Sequence, residues 1–123
     1  MIKKKKVLVI EDSKLVLQII TDELEDHGFD VIAVTDGAQG LKKTKESKPD
    51  LIILDLILPE LSGEQVCREI RKDEEFFDTP VIMLTAKNTD ADKIIGRVIG
   101  ADCYIPKPFE ISNLLNEITR LIK

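Results

Sequence analysis

Five side chains in this sequence could do chemistry together, and each stands at the end of a short apolar run. Glu11 and Asp12 follow Val7-Leu8-Val9-Ile10, and Asp55 follows Leu51-Ile52-Ile53-Leu54. Thr85 follows Val81-Ile82-Met83-Leu84, and Lys107 stands between Pro106 and Pro108, just after Cys103-Tyr104-Ile105. Three carboxylates crowded into one pocket repel one another and resist full ionisation near neutral pH. A hard divalent cation relieves this. Mg²⁺, with Mn²⁺ as the alternative ion, suits a few carboxylates plus waters and a phosphate oxygen. The charge of three acids is then balanced by the ion and Lys107, so an anionic phosphoryl group can enter. A carboxylate can attack phosphorus and become an acyl phosphate. The protein's task in such a transfer is to position the groups and neutralise charge on the equatorial oxygens. Lys107 and the Thr85 hydroxyl are suitable groups for that. Asp55, alone at the end of its run, is the candidate nucleophile, and the neighbours Glu11 and Asp12 look like the pair that holds the metal.

These residues converge only if the apolar runs lie side by side. Short β-branched runs alternate with segments of helical period, which is the pattern of βα repeats around a parallel sheet. Strands are expected over residues 7–10, 31–34, 51–54, 81–84 and 103–105, and helices over 14–27, 38–47, 63–72, 90–99 and 111–122. The first, third and fourth strands are apolar almost throughout, as strands covered on both faces should be. The last helix is the clearest, with Ile111, Leu114, Leu115, Ile118 and Ile122 forming one stripe. The first carries Val16, Ile20 and Leu24 on one face, with Ser13 placed to cap it and Gly28 to stop it. The second is weaker, because Gly40 interrupts it. In an open parallel sheet, ligands bind beyond the carboxyl ends of the strands, where the five residues stand.

With 123 residues, the chain suits one domain spanning 1–123. Hydrophobic residues at 43% and charged residues at 33% allow a real core and argue against disorder. A net charge of −5 argues against nucleic acid as a direct partner. The basic run Lys3, Lys4, Lys5 and Lys6 reads as a solvated flank. The apolar stretch after it is too short for a signal peptide or a membrane span, so a cytoplasmic protein is expected. Cys67 and Cys103 lack metal-ligand spacing and read as buried, reduced thiols, with Cys67 packing beside Val66 and Ile70. His27, next to Gly28, reads as a surface or capping residue at a helix end.

The motifs Val9-Ile10-Glu11-Asp12-Ser13, Asp55-Leu56-Ile57-Leu58-Pro59, Ser62-Gly63, Leu84-Thr85-Ala86 and Lys107-Pro108-Phe109 resemble those of bacterial response-regulator receiver domains, in order and with spacing kept. Each motif is weak alone, and five together are specific. The resemblance implies a flavodoxin-like (βα)5 fold of class α/β, with a five-stranded parallel sheet of order 2-1-3-4-5 and helices on both faces. It implies Asp55 as phosphoacceptor, taking its phosphoryl group from a sensor histidine kinase or phosphotransfer protein. Asp12, Asp55 and the backbone carbonyl of Ile57 would bind Mg²⁺, with Glu11 helping through water, while Thr85 and Lys107 hold phosphoryl oxygens. Ala86 falls where the family keeps a small residue, and Tyr104 at its aromatic switch position, where movement of Thr85 would let the ring turn inward. The Lys107–Pro108 bond is expected to be cis. Phosphorylation would change the binding of region 90–123 to a downstream protein or a second copy. Ile57 and Lys87 occupy positions tied to hydrolysis rate, and an apolar Ile57 implies slow self-dephosphorylation.

Two other classes fit less well. A metal-dependent phosphatase of the haloacid dehalogenase type needs a second acid two positions after its nucleophile, where Ile57 stands after Asp55. A flavodoxin-like cofactor site needs a phosphate loop rich in Gly, Ser or Thr after Ile10, where Glu11-Asp12-Ser13-Lys14 stands. A receiver acting alone by contact is the expected form, with a receiver cut from a longer DNA-binding or enzymatic regulator as the alternative.

Overall fold

The computed structural model of the chain describes residues 3–85 and 100–122. They form β1 (Lys6–Ile10), α1 (Lys14–Asp26), β2 (Asp30–Val34), α2 (Gly37–Ser47), β3 (Leu51–Asp55), α3 (Gly63–Lys72), β4 (Val81–Thr85), β5 (Cys103–Pro106) and α4 (Ile111–Leu121). The helix expected over 90–99, together with Ala86 and Lys87, lies outside the described residues. All five strands are parallel and lie in the order β2-β1-β3-β4-β5, as the resemblance implies. The strands run one residue longer than the apolar runs, so Asp55 and Thr85 are the last residues of β3 and β4 and do not follow them. The ladder accounts for this: Asp55 sits opposite Leu84, and the Leu56 N–H still donates to the Leu84 carbonyl at 2.8 Å.

Alternate residues of the central strands feed two cores. Leu8, Ile10, Ile52, Leu54 and Met83 pack with Val66, Cys67 and Ile70 of α3. Val7, Val9, Leu51, Ile53, Ile82 and Leu84 pack with Ile20 and Leu24 of α1 and Leu114 and Ile118 of α4. Burial on both faces explains why β1, β3 and β4 read as unbroken apolar runs. Cys67 and Cys103 pack against opposite cores, and neither is in a disulfide. Cys67 is buried as expected, whereas Cys103 is only half-buried, since it starts the edge strand β5. Burial pushes both thiols up, Cys103 to about 11 with help from Glu117, so neither is primed as a nucleophile. No helix among the described residues is long and apolar enough to cross a membrane.

Side chains close the helix ends. The Ser13 and Asp36 oxygens accept from Val16 N and Gln39 N, and Ser62 with Gln65 forms a reciprocal capping box on α3. At the far end of α1, His27 Nδ1 lies 2.8 Å from the Glu23 carbonyl, which bears out the capping reading. Gly28 then takes the positive φ of 87° that turns the chain into β2.

The amino edge of the sheet is tied by a bracket that the sequence does not announce. The Arg71 guanidinium, at the end of α3, donates to the carbonyls of Gly100 (2.8 Å) and Thr79 (2.7 Å) and to Asp102 Oδ2 (2.8 Å). Asp102 Oδ2 also accepts from Val81 N at 2.8 Å. One side chain thus joins α3 to the starts of β4 and β5. It also donates to the Phe77 carbonyl at 3.1 Å; these hydrogen bonds are charge-assisted, and the planar fork is what reaches four acceptors at once. Arg71→Ala is therefore expected to cost about 2–3 kcal/mol, measured by urea denaturation, with Arg71→Lys recovering only part of the loss.

Candidate active site

The carboxyl ends of β1, β3, β4 and β5 place the sequence-predicted residues along one edge. The chain leaves β1 toward β2 on one side and returns to β3 on the other, so the crevice between β1 and β3 is the topological switch point. Glu11 continues β1, its N–H donating to the Val34 carbonyl at 3.1 Å, and Asp55 closes β3. Lys107 follows β5 and crosses the end of β4 to reach them. Its backbone N–H donates to the Thr85 carbonyl, while its ammonium bonds Glu11 Oε1 and, at 3.0 Å, Asp55 Oδ2. The Lys107–Pro108 bond is cis, as the resemblance implies.

The environments of the three acids differ sharply. Glu11 is fully buried and Asp55 nearly so, whereas Asp12 is exposed. Their carboxylate oxygens nonetheless lie within 4.8 Å of one another. Asp55 stands alone at the end of its run in sequence but is engaged in space: Lys107 holds one oxygen, and the Ile57 N–H donates to the other at 3.1 Å. Glu11 and Asp12 differ as the strand disposes them, the first buried and the second presented to solvent. Glu11 Oε2 is further held by the Ser13 N–H at 3.1 Å. The arrangement suits a divalent cation. The donors are hard oxygens, and one from each acid lies within 4.8 Å of the others, near enough for small side-chain movements to bring them onto one ion.

Thr85 is fully buried at the end of β4, the strand next to the one bearing Asp55. Tyr104 sits opposite Met83 and packs against the α2/α3-side core. Its hydroxyl is buried without a hydrogen-bond partner among the described residues. Ile57 is 57% exposed beside the site, and its carbonyl belongs to the loop that covers Asp55. Gly63 was visible in the sequence only as part of a motif, and its reason is steric. A Cβ there would lie 2.1 Å from the Asp55 carbonyl oxygen, so only glycine lets α3 start directly against the acid's backbone.

Burial, reinforced by the neighbouring Asp55, pushes the Glu11 carboxyl up to about 7, although Lys107 and the Ser13 N–H oppose the shift. Burial works against the Lys107 charge, but Glu11 and Asp55 outweigh it and hold its pKa above the ordinary value. A carboxyl with a raised folded pKa binds its proton more tightly in the native state. Its stabilising contribution is complete below the unfolded pKa and is lost as pH rises through the folded one. In metal-free buffer, the stability supplied by Glu11 should therefore fall between about pH 4.5 and 7, by on the order of 2–3 kcal/mol. Urea melts of Glu11→Gln across that range should lack this component of the slope.

Comparison with known proteins agrees with the geometry. The response regulator receiver domain family matches residues 7–119. The chain is 45% identical over 105 residues to the alkaline phosphatase synthesis transcriptional regulatory protein PhoP of Bacillus subtilis, covering 85% of this chain and 43% of that protein. It is 42% identical over 118 residues to the response regulator ArlR of Staphylococcus saprophyticus, covering 96% of this chain and 52% of that one. The chain thus spans about half the length of these curated relatives. Among solved structures, the chemotaxis protein CheY4 of Vibrio cholerae superposes with a TM-score of 0.92 at 30% identity, over 98% of this chain and 100% of that one. The receiver domain of a Pseudomonas aeruginosa sensor histidine kinase, solved with a magnesium ion in its active-site cleft, gives a TM-score of 0.89 at 30% identity, over 97% and 98% of the two chains. With the family matched over residues 7–119 and the sheet in the order of the receiver fold, this chain belongs to the response regulator receiver domains of two-component systems.

Proposed function

We propose that the chain is a switch thrown by phosphorylation of Asp55. An Asp55 oxygen attacks the phosphorus of a phosphohistidine on a sensor kinase or phosphotransfer protein. The new O–P bond replaces the N–P bond, and the imidazole leaves. The observation that carries this reading is the Lys107 ammonium 3.0 Å from Asp55 Oδ2, beside two further acids at the switch point of the sheet. Asp12, Asp55 and the Ile57 carbonyl would hold Mg²⁺, with Glu11 acting through water. Bound there, the ion supplies charge neutralisation at the acids and polarises the phosphoryl oxygens. Lys107 is then drawn toward the phosphoryl group, and the Thr85 hydroxyl donates to another of its oxygens. The magnesium in the cleft of the Pseudomonas relative supports this choice of ion.

The output of the switch is a change in what region 90–123 binds, a downstream protein or a second copy. A second reading comes from the relatives. PhoP is named a transcriptional regulator, and the matched part is about half of it and of ArlR. A receiver coupled to an output module in one longer chain fits that proportion.

Incubation with acetyl phosphate and Mg²⁺ should add one phosphoryl group by intact mass. EDTA should block the reaction and Asp55→Asn should abolish it while leaving the unfolding free energy from urea melts within about 1 kcal/mol of wild type. Stoichiometric labelling of Asp55→Asn would refute the assignment.

Lys107→Ala separates chemistry from signalling. With the ammonium gone, the acids attract a cation at least as strongly, so Mg²⁺ binding persists. The chemical-shift changes around Tyr104 that a phosphoryl mimic induces in wild type should disappear, and an undiminished response would count against the role given to Lys107.

Ile57 has no polar atom with which to align an attacking water, so hydrolysis of the acyl phosphate is slow. Its half-life should be minutes or longer by phosphate-release assay, and a half-life of seconds would contradict this.

A further inference from the structure

The amino edge of the sheet divides its charge into two halves. At the start of β1, Lys3, Lys4, Lys5 and Lys6 line a small hollow of about 140 Å³ together with Lys48 from the end of α2, and Asp50 is the one acid that lines it. Beyond Asp50, a second hollow of about 500 Å³ opens between the starts of β4 and β5 and the end of α4. Its acids are Asp50, Asp78 and Asp102, and Pro80 and Leu121 form the apolar part of its wall. Arg120 also lines it, but its Nε and Nη2 both donate to Glu117 Oε2, at 2.8 and 2.6 Å. Asp102 is taken by Arg71. Asp78 is exposed, and its side chain makes no hydrogen bond or ion pair among the described residues. On the basic side, Lys6 Nζ donates to the Ser47 carbonyl at 2.7 Å and Lys48 pairs with Glu75 at 3.1 Å. The outward charge there comes chiefly from the exposed Lys3, Lys4 and Lys5. Phe77, beside Asp78, is 58% exposed on a turn that Arg71 holds through the Phe77 carbonyl.

The sheet order makes this division self-complementary. Asp50 immediately precedes β3, the middle strand, and β1 and β4 are its two neighbours. Adjacent strands lie about 4.8 Å apart, so the basic and acidic halves stand at comparable distances on either side of β3. A two-fold axis through the start of β3, normal to the sheet, brings two amino edges face to face. It sets the lysines of one copy opposite Asp78 of the other, twice over, as an isologous contact requires. Asp50 meets its counterpart near that axis, where its Oδ2 already accepts from the Lys6 N–H at 2.8 Å and the flanking lysines offset the like charge. A polyanion would be drawn to one half and repelled by the other, and a polycation likewise. A surface with the same division in reverse satisfies both halves at once. A second copy is such a surface.

We propose that the amino edge is a self-association surface, on which two copies pair through Lys3, Lys4 and Lys5 of each and the Asp78 hollow of the other. Exposed ion pairs contribute little individually, so the dimer is weak and salt-sensitive, with Phe77 and the apolar wall adding the area they cover. It needs neither metal nor phosphoryl group and lies at the end of the sheet opposite Asp55, so it stands apart from the switch proposed above.

Sedimentation equilibrium of the unphosphorylated, Mg²⁺-free protein, at concentrations up to about 1 mM, reads the association directly. Wild type should dimerise at about 20 mM salt, and its dissociation constant should rise by at least about tenfold at about 500 mM. Two variants reverse one half each by changing exposed side chains: Lys3→Glu with Lys4→Glu, and Asp78→Lys. Each alone should weaken the dimer about tenfold or more. Asp78→Lys makes the net charge less negative than −5, so its loss of association is not general repulsion. Mixed one to one, the two variants should recover the wild-type constant within about threefold, because each reversed half then meets its complement. A wild type that stays monomeric at low salt would overturn the proposal, as would a dimer that either variant leaves intact, or a mixture that remains monomeric.

Discussion

The arrangement of this domain depends on one ammonium group shared by two buried acids. Glu11 and Asp55 close neighbouring strands, and Lys107 bridges them from beyond β5. Neither acid has enough solvent to carry its charge alone. Removing water from a carboxylate costs several kcal/mol, and an opposite charge offsets that only when the geometry is close and the other lone pairs are used. Here they are used: the Ser13 and Ile57 N–H groups take the remaining oxygens. The compensation is still incomplete: burial, with the neighbouring Asp55, keeps the Glu11 pKa raised despite Lys107 and the Ser13 N–H. A site short of positive charge is a site prepared to take in a cation.

Topology explains why this deficit falls where it does. Parallel strands put their carboxyl ends on one edge, and the order β2-β1-β3-β4-β5 makes the β1/β3 crevice the place where crossovers diverge. The acids sit at that crevice, and the lysine comes from two strands away. No sequence-local contact could assemble the group; the apolar ladders Val7–Leu51 through Ile10–Leu54 and Ile52–Val81 through Asp55–Leu84 do so. The two cores that hold those ladders flat against their helices therefore set the distances on which the chemistry relies.

Much of this was legible in the residues because two periodicities and one rule about strand ends suffice. Apolar runs marked β1, β3 and β4, spacings of three and four marked the last helix, and the ends of the runs gave Glu11, Asp12, Asp55, Thr85 and Lys107. Four of the expected helices lie within two residues of their observed limits. Burial was the blind spot. Asp55 read as a lone residue at a strand end, yet it is nearly buried with Lys107 and the Ile57 N–H on its oxygens, a matter of tertiary closure that no local pattern encodes. The positive φ of 65° at Glu60 was hidden for the opposite reason, since a strained position filled by an ordinary residue has no compositional mark. Arg71 carried no signal in the sequence, because its four acceptors come from chain positions 77–102.

The two edges of the sheet thus answer different physical demands. At the amino edge, Arg71 and Asp102 satisfy each other and the exposed ends of β4 and β5, which is an arrangement that resists change. At the carboxyl edge, like charges are gathered, and Glu60, a non-glycine residue, takes a positive φ of 65°. Each of those features raises the energy of the resting state, and the apolar cores between the edges supply the stability that tolerates them. A ligand that relieves even part of the strain or charge at one edge gains differential free energy over the resting state, which is the requirement for shifting a conformational equilibrium. A site satisfied in every bond would bind no less specifically, but it would have nothing left to release on binding and so would make a poor switch.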